Sequence, residues 1–284
     1  MPEPRVLLDG LVLGESPRWH DDRLWLCDWG AHELLTVDPD GRRTTVGRID
    51  AFPFCIDPLP DGRLLVVAGS ERRLLRRETD GILTPYADLR PLCDRPWNEA
   101  AADGRGNAYA NCIGFDLMTG EAPAPGLLAL VTPDGTARTV AEGLAFPNGM
   151  AITPDGATLL LAESYASRIT AFDIAPDGSL TGRRTWAEVE GSAPDGISLD
   201  AEGALWYADV PNRRCVRVRE GGGILQTVET DRGCFSCALG TPGGTPTLYI
   251  TAAEWTGTAD ATATRTGQLI TVPAPAPPAP RPTA

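Results

Sequence analysis

The chain has 284 residues, 42% of them hydrophobic, enough for one large domain or two small ones with a substantial core. Its formal net charge of −13 argues against a nucleic-acid partner, because such binding rests on basic side chains that release counterions. All 25 basic residues are Arg, which removes Schiff-base, pyridoxal phosphate and phosphate-loop chemistry, and the two histidines, His20 and His32, cannot supply a Ser-His-Asp triad or a multi-histidine zinc site.

The N-terminal MPEPRVLLDG lacks the charged start and long apolar core of a secretion signal, and no apolar run approaches the roughly twenty residues that span a bilayer. With seven scattered cysteines, the expectation is a cytoplasmic protein with reduced thiols, a small-molecule substrate, no membrane or nucleic-acid partner and a monomeric state. Cys234 and Cys237 have CxxC spacing, but no second pair or histidine joins them.

From residue 14 onward one unit recurs: GESPRWHDDRLWLCDWG, FCIDPLPDGRLLVVAGS from 54, WNEAAADGRGNAYANCIG from 97, FPNGMAITPDGATLLLAES from 146, APDGISLDAEGALWYADV from 193 and GCFSCALGTPGGTPTLYITAAE from 233. These starts are 40 to 49 residues apart. Each copy holds an apolar run, a Gly-containing turn and a second run, and most continue into a third and fourth. Four short strands at this period predict propeller blades. The expected fold is all-β, a six-bladed β-propeller over 1–272 with four antiparallel strands per blade. The last copy is one strand short, so the N-terminal RVLLDG is expected to close the ring by joining it. Residues 273–284, Pro/Ala-rich, are expected to form a disordered tail.

Aligning the copies by their turns places six residues on one ring around the channel: Glu15, Phe54, Asn98, Asn148, Asp195 and Phe235. Four are oxygen-bearing, and two of these are carboxylates, an arrangement that calls for a cation. Oxygen-only ligands favour one hard divalent ion, with Ca2+ foremost, Mg2+ and Mn2+ next and Zn2+ behind them. Taken singly, Asn148 and Asp195 also fit ordinary Asn-Gly and Asp-Gly turns. The second strands end in Asp28, Ala68, Cys112, Glu163, Asp209 and Ala252 near the same mouth, where the three carboxylates are expected to bond loops rather than ligate.

With Gly14-Glu15-Ser16-Pro17, Phe146-Pro147-Asn148-Gly149, Pro194-Asp195-Gly196 and Ser236-Cys237-Ala238 in hand, the sequence resembles the gluconolactonase, senescence marker protein and regucalcin family over about residues 5–272. The resemblance implies a propeller with one divalent ion in the channel mouth and hydrolysis of sugar lactones or other esters. It carries metal ligation to Glu15, Asn148 and Asp195, and places Asn98 beside the metal in contact with substrate or water. The family's Arg-x-Asn-Asp-Gly is here Arg95-Pro96-Trp97-Asn98-Glu99, so the substrate-binding arginine is shifted by one residue and the Asp is replaced.

The expected activity is therefore opening of a lactone or related cyclic or aryl ester by an activated water, with Asp195 as ligand and general base, Glu15 as charge-neutralising ligand and Asn148 as a neutral one. Arg95, Trp97, Asn98, Glu99, Phe146, Trp29 and Tyr165 are the substrate-contact candidates, with Trp255 beside them. Segment 111–126 is expected to cover the pocket. Phosphotriester hydrolysis, a metal-assisted cyclisation and a non-catalytic binding propeller are the competing readings.

Overall fold

Each copy of the repeat folds as a four-stranded antiparallel sheet, and six such sheets form a ring in the computed structural model, which describes residues 3–255 and 264–282. Strand β1 is Arg5–Leu11. Blade one holds β2 to β5 (Gly14–His20, Arg23–Asp28, Glu33–Val37, Arg43–Arg48), and blade two holds β6 to β9 (Phe54–Pro58, Leu64–Ala68, Arg73–Arg77, Leu83–Asp88). Blade three holds β10 to β13 (Trp97–Ala102, Ala108–Cys112, Gly126–Val131, Ala137–Leu144), and blade four β14 to β17 (Pro147–Ile152, Thr158–Glu163, Arg168–Ile174, Leu180–Glu188). Blade five holds β18 to β21 (Pro194–Leu199, Leu205–Asp209, Arg214–Val218, Ile224–Glu229), and blade six β22 to β24 (Gly233–Gly240, Thr247–Ala253, Gly267–Pro273).

Strand β1 pairs antiparallel with β24 as the outermost strand of blade six, so the ring closes by joining the first strand to the last blade, as expected. The first strand of every blade lies innermost and packs on its neighbours round the channel. Turns of the Pro-Asp-Gly type fall where the repeats place them. At Thr153–Gly156, the Gly156 N–H donates to Thr153 O at 2.8 Å with Gly156 at φ 67, a backbone setting that glycine adopts without strain.

The core is divided among the blade interfaces rather than gathered at one centre. Cys55, Leu65, Trp97 and Ala110 pack between blades two and three, and Leu160, Ile169, Leu205 and Val216 between blades four and five. Inner strands are buried along most of their length while outer strands such as β5 and β13 are largely exposed on one face, the graded burial that a radial sheet requires.

Two expectations need correction. The C-terminal segment does not hang free: Ala276 is buried, Ala201 N–H donates to Pro277 O at 2.9 Å, Ala279 N–H donates to Leu199 O at 2.9 Å, and Asp200 bridges to Pro278. Arg281 then reaches across to Asp57 at 3.0 Å and to Pro58 O at 2.9 Å. Residues 274–282 thus strap the channel mouth at the C-terminal ends of the inner strands, over a cavity of about 150 Å³ whose lining draws on all six of those strands. Proline costs nothing here, because an extended strap offers most of its N–H groups to no ladder. The thiols are not all separate either: Cys93 and Cys112 meet as a disulfide pair in blade three, while Cys27, Cys55, Cys215, Cys234 and Cys237 are free and buried. No helix among the described residues is long and apolar enough to cross a membrane.

Candidate active site

The chemistry-bearing side chains sit at irregularities in the innermost strands. Pairing of first with second strand slips between Glu15 and Arg18, Trp97 and Ala100, Pro147 and Met150, Pro194 and Ile197, and Cys234 and Ser236, whereas β6 pairs regularly throughout. A bulge puts two residues opposite one and re-aims a side chain. Glu15, Asn98, Asn148, Asp195 and Phe235 all lie in these slips and all line one cavity of about 580 Å³ at the opposite end of the channel from the strap. Phe54, on the regular strand, is fully buried between blades one and two instead.

The glycines after Asn148 and Asp195 have a packing reason. A Cβ on Gly149 would lie 2.6 Å from Asp195 O and 2.8 Å from Gly196 Cα, and one on Gly196 would strike the Ser236 side chain. Neighbouring inner strands therefore approach closely just below the ligand positions. Blade one uses Ser16 at φ 51 instead, and its hydroxyl accepts Ile56 N–H at 3.1 Å, stitching blade one to blade two.

Polar contacts knit the cluster across blades. Asn98 Nδ2 donates to Asn148 Oδ1 at 3.2 Å, and Asn111 Nδ2 donates to Asn148 O at 2.7 Å. Asn148 Nδ2 donates to Ser164 Oγ at 3.4 Å, and Ser164 Oγ donates to Pro194 O at 2.7 Å, next to Asp195. Below them Arg18 donates to Asp57 at 2.8 Å and to Glu99 at 3.2 Å, joining a half-buried guanidinium to two buried carboxylates in the channel.

Glu15 and Asp195 have their pKa values raised well above the carboxylate range. Burial is the largest cause for both. The charges of Asp195 and Glu99 add to it at Glu15, and the charge of Glu99 adds at Asp195. Glu99 is also raised by burial, against the opposing pull of Arg18. The guanidinium of Arg18 is committed to Asp57 and Glu99, so Glu15 and Asp195 have no ion-pair partner among the described residues. Two carboxylates outside any ion pair, Glu15 buried and Asp195 half-buried, beside two amide oxygens form an oxygen-only donor set that suits a hard divalent cation. Glu15, Asn148 and Asp195 would hold it, with Asn98 fixing the Asn148 amide.

The three carboxylates at the second-strand ends bond loops. Asp28 accepts Val12 and Leu13 N–H, Asp209 accepts Ala193 N–H and pairs with Arg214, and Glu163 accepts Ala145 N–H and pairs with Arg168 and Arg183. Burial would raise the Glu163 pKa, but the bonds from Ala145, Thr170 and Arg168 outweigh it and hold it below the ordinary value.

Among the substrate-contact candidates, Asn98, Phe146, Trp29, Tyr165 and Trp255 line the cavity. Trp97 does not: strand alternation turns it away from Asn98 into the apolar layer between blades two and three, where it is 0% exposed. Glu99 points down the channel to Arg18, and Arg95 lies outside the lining, paired with Glu121 at 2.6 Å and Asp94 at 3.0 Å. Phe52, Ile113, Phe115 and Met118 complete the wall without having been singled out from sequence, since their position depends on contacts remote in the chain. Segment 111–126 thus contributes wall residues, and the Arg95–Glu121 pair ties it to the approach to β10.

Fold and site together define a six-bladed propeller with an acid and amide cluster at one channel mouth. Residues 13–254 match the SMP-30/gluconolactonase/LRE-like family model, and the chain belongs to that family. It is 28% identical to pentonolactonase XacC of Haloferax volcanii over 92% of this chain and 88% of that one. It is 27% identical to L-arabinolactonase of Azospirillum brasilense over 78% and 73% of the two chains. Among solved structures, a luciferin-regenerating enzyme superposes with TM-score 0.84 at 22% identity, covering 100% of this chain and 99% of that one. A regucalcin of Agrobacterium tumefaciens, described as a calcium-binding protein, superposes with TM-score 0.76 at 23% identity over 96% and 94% of the two chains.

Proposed function

We propose that this chain is a metal-dependent lactonase that opens a lactone or related cyclic or aryl ester by addition of water. The observation that carries the reading is the convergence of Glu15, Asn98, Asn148 and Asp195, each on a strand irregularity, at the polar end of a single large cavity. Two lactonases among the relatives support it. A divalent ion, Ca2+ foremost, would be held by Glu15, Asn148 and Asp195 and would supply Lewis-acid polarisation of the ester carbonyl.

The residues of the chain do the rest. Asp195, half-buried at the cavity floor, accepts one proton of the attacking water at a carboxylate oxygen as the new C–O bond forms. The ring C–O bond then breaks, and that proton passes to the departing alkoxide, giving a hydroxy acid. Glu15 balances cationic charge, and its own bond from Ser16 N–H at 2.9 Å fixes its carboxylate. Asn98 holds Asn148 and offers its remaining groups to the substrate or to water. The Arg18–Glu99–Asp57 trio lies below the site, with Arg18 and Asp57 lining the cavity under the strap.

The test is purified protein against lactones, aryl esters and phosphotriesters, with chelator and after restoring Ca2+, Mn2+, Mg2+ or Zn2+. Chelator-sensitive hydrolysis of lactones supports the reading. Turnover of phosphotriesters alone replaces it with the alternative chemistry, and hydrolysis of nothing on the panel rejects the enzyme.

A further inference from the structure

We infer that the cavity takes a lactone bearing an apolar or aryl substituent, and that polyhydroxylated sugar lactones fit it poorly. This rests on the hydrolase reading and names its substrate class.

Polarity in the cavity is concentrated at Glu15, Asn98, Asn148 and Asp195. Beyond these four the wall is largely apolar, with aromatic side chains prominent and Ser70 and Asp116 among the few polar ones. Phe146 meets Tyr165 at a tilt with centroids 4.7 Å apart, Phe115 meets both at 5.5 and 5.9 Å, and Phe235 meets Trp255 edge-on at 5.5 Å. Leu13, Ile113 and Val210 fill the spaces between these rings.

Several of the polar side chains in that wall already hold a hydrogen bond within the protein. Trp29 Nε1 donates to Phe54 O, and Ser70 Oγ accepts Phe52 N–H at 3.3 Å. Asp116 accepts Met118 N–H at 3.0 Å and Thr119 N–H at 3.2 Å, and Ser164 Oγ donates to Pro194 O. Arg95, the basic side chain nearest in sequence to Asn98, is bound to Glu121 and Asp94 outside the lining. A sugar lactone brings several hydroxyls that must leave water, and beyond the carbonyl-binding end this wall returns few hydrogen bonds to them. An alkyl or aryl substituent loses nothing on leaving water and gains contact with every ring. The volume of about 580 Å³ is that of a site for a medium-sized organic ligand.

Two measurements test this. In the first, kcat/KM is compared, with Ca2+ or Mn2+ present, for dihydrocoumarin and δ-decalactone against δ-gluconolactone and γ-pentonolactones. The apolar lactones are expected to lead by about tenfold or more, and Tyr165→Ser, at a position 54% exposed on the rim, is expected to cost them about tenfold while barely moving the sugar lactones. In the second, thermal unfolding is followed with two hydrolysis-resistant lactams, 3,4-dihydroquinolin-2-one and gluconolactam. The aryl lactam is expected to raise the melting temperature and the sugar lactam to leave it unchanged. Preferred turnover of sugar lactones overturns the substrate class while leaving the hydrolase reading intact. If no lactone is turned over, the hydrolase reading fails, and the lactams decide the rest: stabilisation by the aryl lactam alone upholds an apolar ligand, whereas stabilisation by gluconolactam, or by neither, rejects it.

Discussion

The carboxylate of Asp28 accepts the Leu13 N–H at 3.0 Å, fixing the backbone two residues ahead of Glu15. The same device recurs where Glu163 accepts Ala145 N–H at 2.8 Å, three residues before Asn148, and where Asp209 accepts Ala193 N–H at 3.2 Å, two before Asp195. The corresponding second-strand positions in blades two, three and six are Ala68, Cys112 and Ala252, so a blade folds without the carboxylate. The acids coincide with the three blades that carry the proposed ligands. Asp209→Ala is therefore expected to weaken Mn2+ or Ca2+ binding about 10- to 100-fold, with Asp209→Asn recovering part of the loss, measured by isothermal titration. Unchanged affinity in a destabilised variant would assign the acid to folding alone.

Asp195→Asn keeps the shape and one ligand oxygen but removes the proton acceptor. Turnover of any accepted lactone is expected to fall about 100-fold or more, with circular dichroism unchanged. A folded variant retaining full kcat would move the base elsewhere.

The raised pKa values of Glu15 and Asp195 make stability and cation binding depend on pH. Their folded-state values lie above unfolded values of about 4, so their protonation favours the cation-free fold; that contribution is complete below about pH 4 and is lost as pH rises through the raised values. Surface acids such as Glu78 and Asp88, each pulled down to about 2 by hydrogen bonds from arginine, act in the opposite sense, and their contribution is lost only as pH falls below about 4. Added Ca2+ is thus expected to raise the melting temperature of chelator-treated protein more at pH 8 than at pH 5. Glu15→Gln is expected to flatten that difference; calorimetry at the two pH values reads both.

Truncation after Pro273 removes the strap, with its two backbone bonds to blade five and the Arg281–Asp57 pair. A loss of roughly 1–3 kcal/mol is expected from those bonds, read by urea unfolding. Arg281→Ala alone is expected to cost less than about 1 kcal/mol, because that side chain is 47% exposed and Asp57 keeps Arg18. Equal stability of full-length and truncated chains would mean the strap rests on the ring without holding it.

Much of this molecule was readable in the chain. The spacing of the Gly turns gave the blades, since a two-strand hairpin is a local object whose turn chemistry is written in four residues. Counting back from those turns reached Glu15, Asn98, Asn148 and Asp195, because one repeat geometry maps equal offsets to equal heights around a ring. The same count also reached Phe54, which is buried, because nothing in the sequence marks β6 as the strand without a slip. The structure differs at Trp97 for a related reason: adjacent residues on a strand point to opposite sides, so this aromatic beside Asn98 belongs to the core.

Sequence alone determined the all-β class, the number of blades and the oxygen-bearing ring, because each follows from local periodicity repeated at a fixed interval. Tertiary structure decided which of those residues face the cavity, what the aromatic wall is made of and where the C-terminal segment goes. Those depend on strand slips and on partners scores of residues away. Proline and alanine carry no periodic signal of burial, and only the mouth of a closed ring gives residues 274–282 a surface to cover.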